Sequence, residues 1–115
     1  MNGTPEDKRK SARVPVDFEA RFESAGRDYE GRVLNLSLDG LFLKTHQLFD
    51  TNDRLSLSFR LPGSLQTLQL NSRVIWGGSI EGSAARTFGL GLHFEEVPAT
   101  VRQQLDNYLR SLLKT

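Results

Sequence analysis

Apolar side chains recur at every second position through most of this chain, and that period constrains the fold more than any other feature. Val14, Val16, Phe18, Ala20 and Phe22 alternate with Asp17, Glu19, Arg21 and Glu23, the pattern of a strand with one buried face. Five further runs read the same way. Residues 29–35 place Tyr29, Gly31 and Val33 on one side, and Leu41-Phe42-Leu43-Lys44 follows Gly40. Leu55, Leu57, Phe59 and Leu61 oppose Arg54, Ser56, Ser58 and Arg60. Leu68, Leu70, Val74 and Trp76 share a face in residues 68–76, which puts Trp76 inside, filling the interior. Phe88, Leu90, Leu92 and Phe94 oppose Gly89, Gly91, His93 and Glu95. Turns are signalled at Ser24-Ala25-Gly26-Arg27 and Pro62-Gly63-Ser64, and loops at residues 46–53 and 77–86. The alternation fails at residues 34–36, which predicts a bulge.

The period then changes. Val101, Leu105, Tyr108, Leu109 and Leu112 are spaced as one face of an amphipathic helix, expected over about residues 98–113. Pro98 suits its first turn, Glu95 and Glu96 suit the positive end of its dipole, and Lys114 the other end. Six short strands and one terminal helix imply an all-β protein, a closed six-stranded antiparallel barrel filled by the inward Val, Leu and Phe side chains. The helix is expected to cover a barrel opening or edge, or to present a partner-binding face. A chain of 115 residues fits one such domain, residues 14–115. Residues 1–13 precede it as a polar arm, disordered until something binds it.

Composition removes several function classes. With no cysteine there is no disulfide framework, thiol nucleophile or thiolate metal site. No apolar run approaches the roughly 20 residues of a membrane helix, so no membrane insertion is expected. Residues 1–13 have no apolar core of the secretory kind, so the reading is cytoplasmic, and the sequon Asn35-Leu36-Ser37 carries no weight. Net charge is +1, so any electrostatic site must be a local patch. The two histidines, His46 and His93, lack metal-ligand spacing, and no nucleophile elbow or phosphate-cradling glycine loop is present. The chain reads as a non-enzyme with no metal or cofactor.

Two segments carry recognition chemistry. Asn35-Leu36-Ser37-Leu38-Asp39-Gly40 joins two strands and offers an amide, a hydroxyl and a glycine within one turn. Arg9-Lys10-Ser11-Ala12-Arg13 offers two guanidiniums four residues apart on the arm. Guanidinium groups donate to phosphate or to guanine O6/N7, and the turn suits a base edge. Taken singly, the turn is an ordinary hairpin connection and the arm a solvated basic tail. Together they suit a small anionic nucleotide on the outside of a barrel. Gly89 and Gly91 are expected to allow close packing of the helix or arm over the sheet.

These motifs resemble the PilZ domain, the bacterial receptor module for cyclic di-GMP. Arg9 and Arg13 match its Arg-x-x-x-Arg, directly before Val14-Pro15-Val16, and Asn35, Ser37 and Gly40 match its Asp/Asn-x-Ser-x-x-Gly. Val74-Ile75-Trp76 and Gly89-Leu90-Gly91-Leu92-His93-Phe94 are similar to its late strands, so the likeness runs from about residue 9 to the C-terminal end. The resemblance implies cyclic di-GMP as ligand. Arg9 and Arg13 would clamp it, Asn35 and Ser37 would read guanine edges, and Gly40 would admit the ligand or hold a positive φ. Lys8 occupies a position associated in the family with binding one ligand or a stacked pair. The implied mechanism is ordering of the arm over the barrel on binding, read by a protein effector.

Three rivals follow from the same residues. One is a PilZ-like adaptor, in pilus or other motility systems, that does not bind the nucleotide. Another is a single-stranded nucleic-acid barrel, which needs a basic groove and exposed stacking aromatics; no nucleic acid polymer is expected here. The third, an enzyme, lacks an assembled site. The helix stripe suits packing on its own barrel or on a second copy, leaving monomer and homodimer both open.

Overall fold

The computed structural model describes residues 13–80 and 86–113. Six strands, β1 (Val14–Ser24), β2 (Arg27–Leu36), β3 (Gly40–Thr45), β4 (Arg54–Arg60), β5 (Thr67–Ser79) and β6 (Phe88–Glu95), precede one helix, α1 (Ala99–Leu113). The strands close into a barrel in the order β1-β2-β3-β6-β5-β4, every neighbour pair antiparallel. The expected barrel and terminal helix are both present. The residues 1–12 of the expected arm, with Lys8 and Arg9, lie outside the described residues.

The inward faces are those the alternation marks. Val14, Phe18, Ala20 and Phe22 of β1 meet Val33, Leu43, Leu57, Leu70, Leu90 and Leu92 in one buried core. The β1–β2 hairpin turns through Ala25 and Gly26 with φ of 51° and 79°, the two-residue geometry that follows strand twist. At the β4–β5 turn, Ser64 N–H donates to the Leu61 carbonyl at 2.9 Å, and Gly63 has φ of 85° after Pro62, as a proline–glycine turn requires.

The barrel is stoppered at both ends. At one, Phe22 stacks on Tyr29 with centroids 5.3 Å apart, and Phe49 from the β3–β4 loop packs edge-on against both. At the other, Leu105 and Leu109 of α1 join the core. There the Gln104 side-chain amide donates to the side-chain Oε1 of Gln66 at 2.6 Å and ties α1 to the β4–β5 turn. The closure between β1 and β4 is short, pairing only Arg21–Glu23 with Ser56–Ser58.

Besides a register shift in β1 between Pro15 and Phe18, two bulges re-aim the sheet. Between β2 and β3, Val33 pairs with Leu43 and Asn35 with Phe42, so Leu34 is the extra residue at the predicted break. Between β5 and β6, Val74 pairs with Leu92 and Trp76 with Gly91, so Ile75 is the extra residue. That second bulge corrects the expectation for Trp76. One inserted residue reverses which face the strand presents, and Trp76 lies outside, 51% exposed. β5 also runs on to Ser79, through residues read as loop, because Gly77 and Gly78 pair with Leu90 and Gly89.

Candidate functional site

The Asn35–Gly40 segment forms a tight turn between β2 and β3. The Ser37 hydroxyl, in a residue only 6% exposed, accepts from the N–H groups of Asp39 and Gly40, both at 3.2 Å. It donates to the Gly40 carbonyl at 3.3 Å, beside the Ser37 N–H to Gly40 carbonyl bond of 2.9 Å. One donor and two acceptors are a hydroxyl's full capacity. Ser37 therefore builds the turn.

Asn35 differs. Its Oδ1 is buried and has no hydrogen-bond partner among the described residues. An unpaired buried acceptor costs about 1–3 kcal/mol, so the free protein holds it at a loss. Gly40 has no positive φ, which corrects that part of its expected role. Its need for a bare Cα comes from β6, because a Cβ would strike the Leu92 carbonyl. The Phe94 N–H donates to the Asp39 carbonyl at 2.8 Å and fixes the turn against β6.

Asn35 belongs to a row of cross-strand neighbours on the outer face. Asn35 pairs with Phe42, Phe42 with Gly91, and Gly91 with Trp76. At the usual strand spacing the row spans about 14 Å. Phe42 and Trp76 stack with centroids 6.1 Å apart and planes 27° apart. Both rings lie over glycines, Phe42 against Gly89 and Trp76 against Gly78. The close packing expected at Gly89 is thus made by the Phe42 ring, whereas Gly91 meets only ordinary contacts, the Trp76 Cβ and the Ile75 side chain. The row ends in an exposed indole, a flat surface for an aromatic or planar group. Sequence reasoning missed Phe42, which follows the turn as an ordinary strand residue.

The next row toward the turn pairs Gly40 with His93 and His93 with Arg73. Arg73 is committed, with Nε on Glu95 at 3.0 Å and a terminal nitrogen on Asn52 at 3.2 Å. Arg32, on the other side of the row, holds Asp17 at 2.6 Å. Arg13 is exposed just before β1, whose Val14 pairs with Leu36 beside the turn. His46 lies elsewhere, its Nδ1 3.1 Å from the Arg86 carbonyl. Among the described residues no cluster of three or more His, Asp or Glu side chains is placed to hold a metal, and no helix is long and apolar enough to cross a membrane. A depression of about 680 Å³ lies on the opposite side of the barrel, lined by Arg21, Glu23, Glu30, Ser58 and Gln69. It includes none of the motif residues.

The family model for the PilZ domain matches residues 7–111, nearly the whole chain. The chain belongs to the PilZ domain family. The barrel of this PilZ domain superposes on the PilZ domain of YcgR from Escherichia coli, solved with c-di-GMP. The TM-score is 0.76 at 17% identity, covering 93% of this chain and 92% of that one. It superposes equally on the Bacillus subtilis inhibitor of motility MotI/DgrA, with a TM-score of 0.77 at 18% identity and 94% of this chain covered. MrkH, described as a c-di-GMP-dependent transcription regulatory factor, gives 0.75 at 15% identity over 93% of this chain. The chain spans about half the length of MotI/DgrA and MrkH, 53% and 52%. No curated protein sequence matches it. At these identities the superpositions establish a shared PilZ fold.

Proposed function

We propose that this PilZ domain is a receptor for cyclic di-GMP. The observation that carries the reading is the unpaired, buried Oδ1 of Asn35 at one end of a row that ends in the exposed Trp76. An acceptor without a donor is a site waiting for one, and guanine presents N–H donors on its N2 amine. Trp76 and Phe42 give a base a face to stack on, an interaction worth about 1–3 kcal/mol per base. Arg9 and Arg13 clamp the phosphates or guanine O6/N7 bidentately, and Lys8 adds positive charge. Ser37 and Gly40 hold the turn that aims Asn35. The bound conformers of YcgR and the description of MrkH support the ligand's identity.

In this reading no covalent chemistry occurs. The arm orders over the outer face when the dinucleotide bridges it to the barrel, and the altered surface is read by a protein partner, in motility or another pathway. Isothermal titration with cyclic di-GMP, with GTP and cyclic di-AMP as controls, tests the reading. Selective micromolar or tighter binding, lost in Arg9→Ala and Arg13→Ala, supports it, and the molar ratio distinguishes a single ligand from a stacked pair. Absence of heat and of thermal stabilisation moves the chain to the class of PilZ adaptors that do not bind the nucleotide.

A further inference from the structure

A ligand that touches Asn35 and Trp76 together must cross β6. There the outer face offers Gly89 and Gly91, which carry no side chain, and then His93. His93 alternates with the buried Leu92 and Phe94 and is itself exposed. It is the cross-strand neighbour of Gly40 in the motif turn, and it stands about 7 Å along β6 from Gly91. Its imidazole makes no hydrogen bond or ion pair among the described residues. Its neighbours are accounted for. Arg73 is held by Glu95 and Asn52. Lys44 pairs with Gly89, the residue covered by the Phe42 ring. Glu95, two residues on along β6, is engaged by Arg73, and Asp39 precedes Gly40 in the turn.

We propose that His93 is a ligand-contacting residue of this site, its ring N–H donating to a phosphodiester oxygen of the dinucleotide where it crosses Gly91. The inference rests on the receptor reading above. Asn35 takes a base edge and Trp76 a base face, so the sugar–phosphate portion lies between them, over β6. The bare Gly91 lets that portion approach the backbone, and His93, two residues on along the same face of β6, carries a hydrogen-bond donor. Neither motif of the family includes this position. Its place beside the ligand's path follows from the strand register.

The test combines calorimetry with proton NMR of the imidazole rings. The chain has two histidines, and His46 lies toward the far end of β3, bonded to the Arg86 carbonyl, which makes it an internal control. Cyclic di-GMP is titrated into the full chain and into His93→Ala and His93→Gln. The expected result is binding about tenfold to hundredfold weaker in His93→Ala, the range for a hydrogen bond to a charged group. Partial recovery is expected in His93→Gln, which keeps an N–H donor. The His93 Cε1–H resonance should move in step with the calorimetric isotherm while that of His46 stays fixed. Wild-type binding with unchanged affinity in His93→Ala, or with a stationary His93 resonance, overturns the assignment and leaves the receptor reading standing. No binding by the wild type overturns both.

Discussion

The ring of Phe42 lies so close over Gly89 that a single added methyl there would meet its edge. Gly40 is equally crowded, but by the carbonyl of Leu92 in the β6 backbone. The two glycines therefore differ in what must yield. A half-exposed ring can swing outward, whereas a laddered strand cannot. Gly89→Ala should cost about 1 kcal/mol or less, while displacing Phe42 from Trp76 and changing the fluorescence of the sole tryptophan. Gly40→Ala should cost about 3 kcal/mol, the upper end for overpacking. Urea melts of both variants, followed by circular dichroism and by tryptophan emission, check the contrast.

Trp76→Ala separates recognition from stability. Trp76 is 51% exposed and its indole rests on Gly78 and the Phe42 ring, so the free variant should melt within a few degrees of wild type. Cyclic di-GMP binding should weaken by about 1–3 kcal/mol if a base stacks there. In the wild type, ligand addition should quench Trp76 emission. Full affinity in the variant would remove the indole from the site.

Asn35 and Ser37 should behave oppositely in the free protein. Asn35→Ala deletes an acceptor with no partner, so its melting temperature should be at or above that of wild type while affinity falls. Ser37→Ala deletes three hydrogen bonds of the turn and should lose about 1–2 kcal/mol of stability, with affinity falling as Asn35 loses its aim. Paired thermal melts and titrations distinguish a residue kept for binding from one kept for shape.

Burial pushes the Tyr108 hydroxyl above its usual value of 10.0. Tyr108 lies on α1 beside Leu61 and Leu68 of the barrel. Its folded value is the raised one, so its contribution is fully present below pH 10 and is lost as pH climbs beyond that, where the unfolded chain ionises first. Stability should fall with alkalinity above about pH 10, and Tyr108→Phe should flatten that slope. Denaturant melts across pH 8 to 11 (roughly the range bracketing a phenol) check it.

Most of the barrel is legible in the sequence because period-two alternation has one physical cause, a sheet buried on one side. The bulge at Leu34 is legible for the same reason, since the alternation visibly breaks there. The bulge at Ile75 is not. Val74, Ile75 and Trp76 are all apolar, so either parity satisfies the pattern, and only the pairing of Trp76 with Gly91 decides it. The motif turn was recognisable, but the division of labour within it was not. That Ser37 spends its hydroxyl on the turn and Asn35 keeps an acceptor unpaired depends on the path of β2 after its bulge. His93 read as an ordinary strand residue, because its position gains meaning only from Gly40 and Gly91 beside it in space.

The short closure between β1 and β4 has a consequence for how such a domain can signal. Three residues on each strand form that seam, and in the strand order it lies across the barrel from the β3–β6 ladder. A molecule spanning β2, β3, β6 and β5 braces the wall that is already the more fully laddered and leaves the loose line untouched. On the proposed reading the barrel would work as an anvil: it would keep its shape, and whatever changes on binding would be laid on its outside.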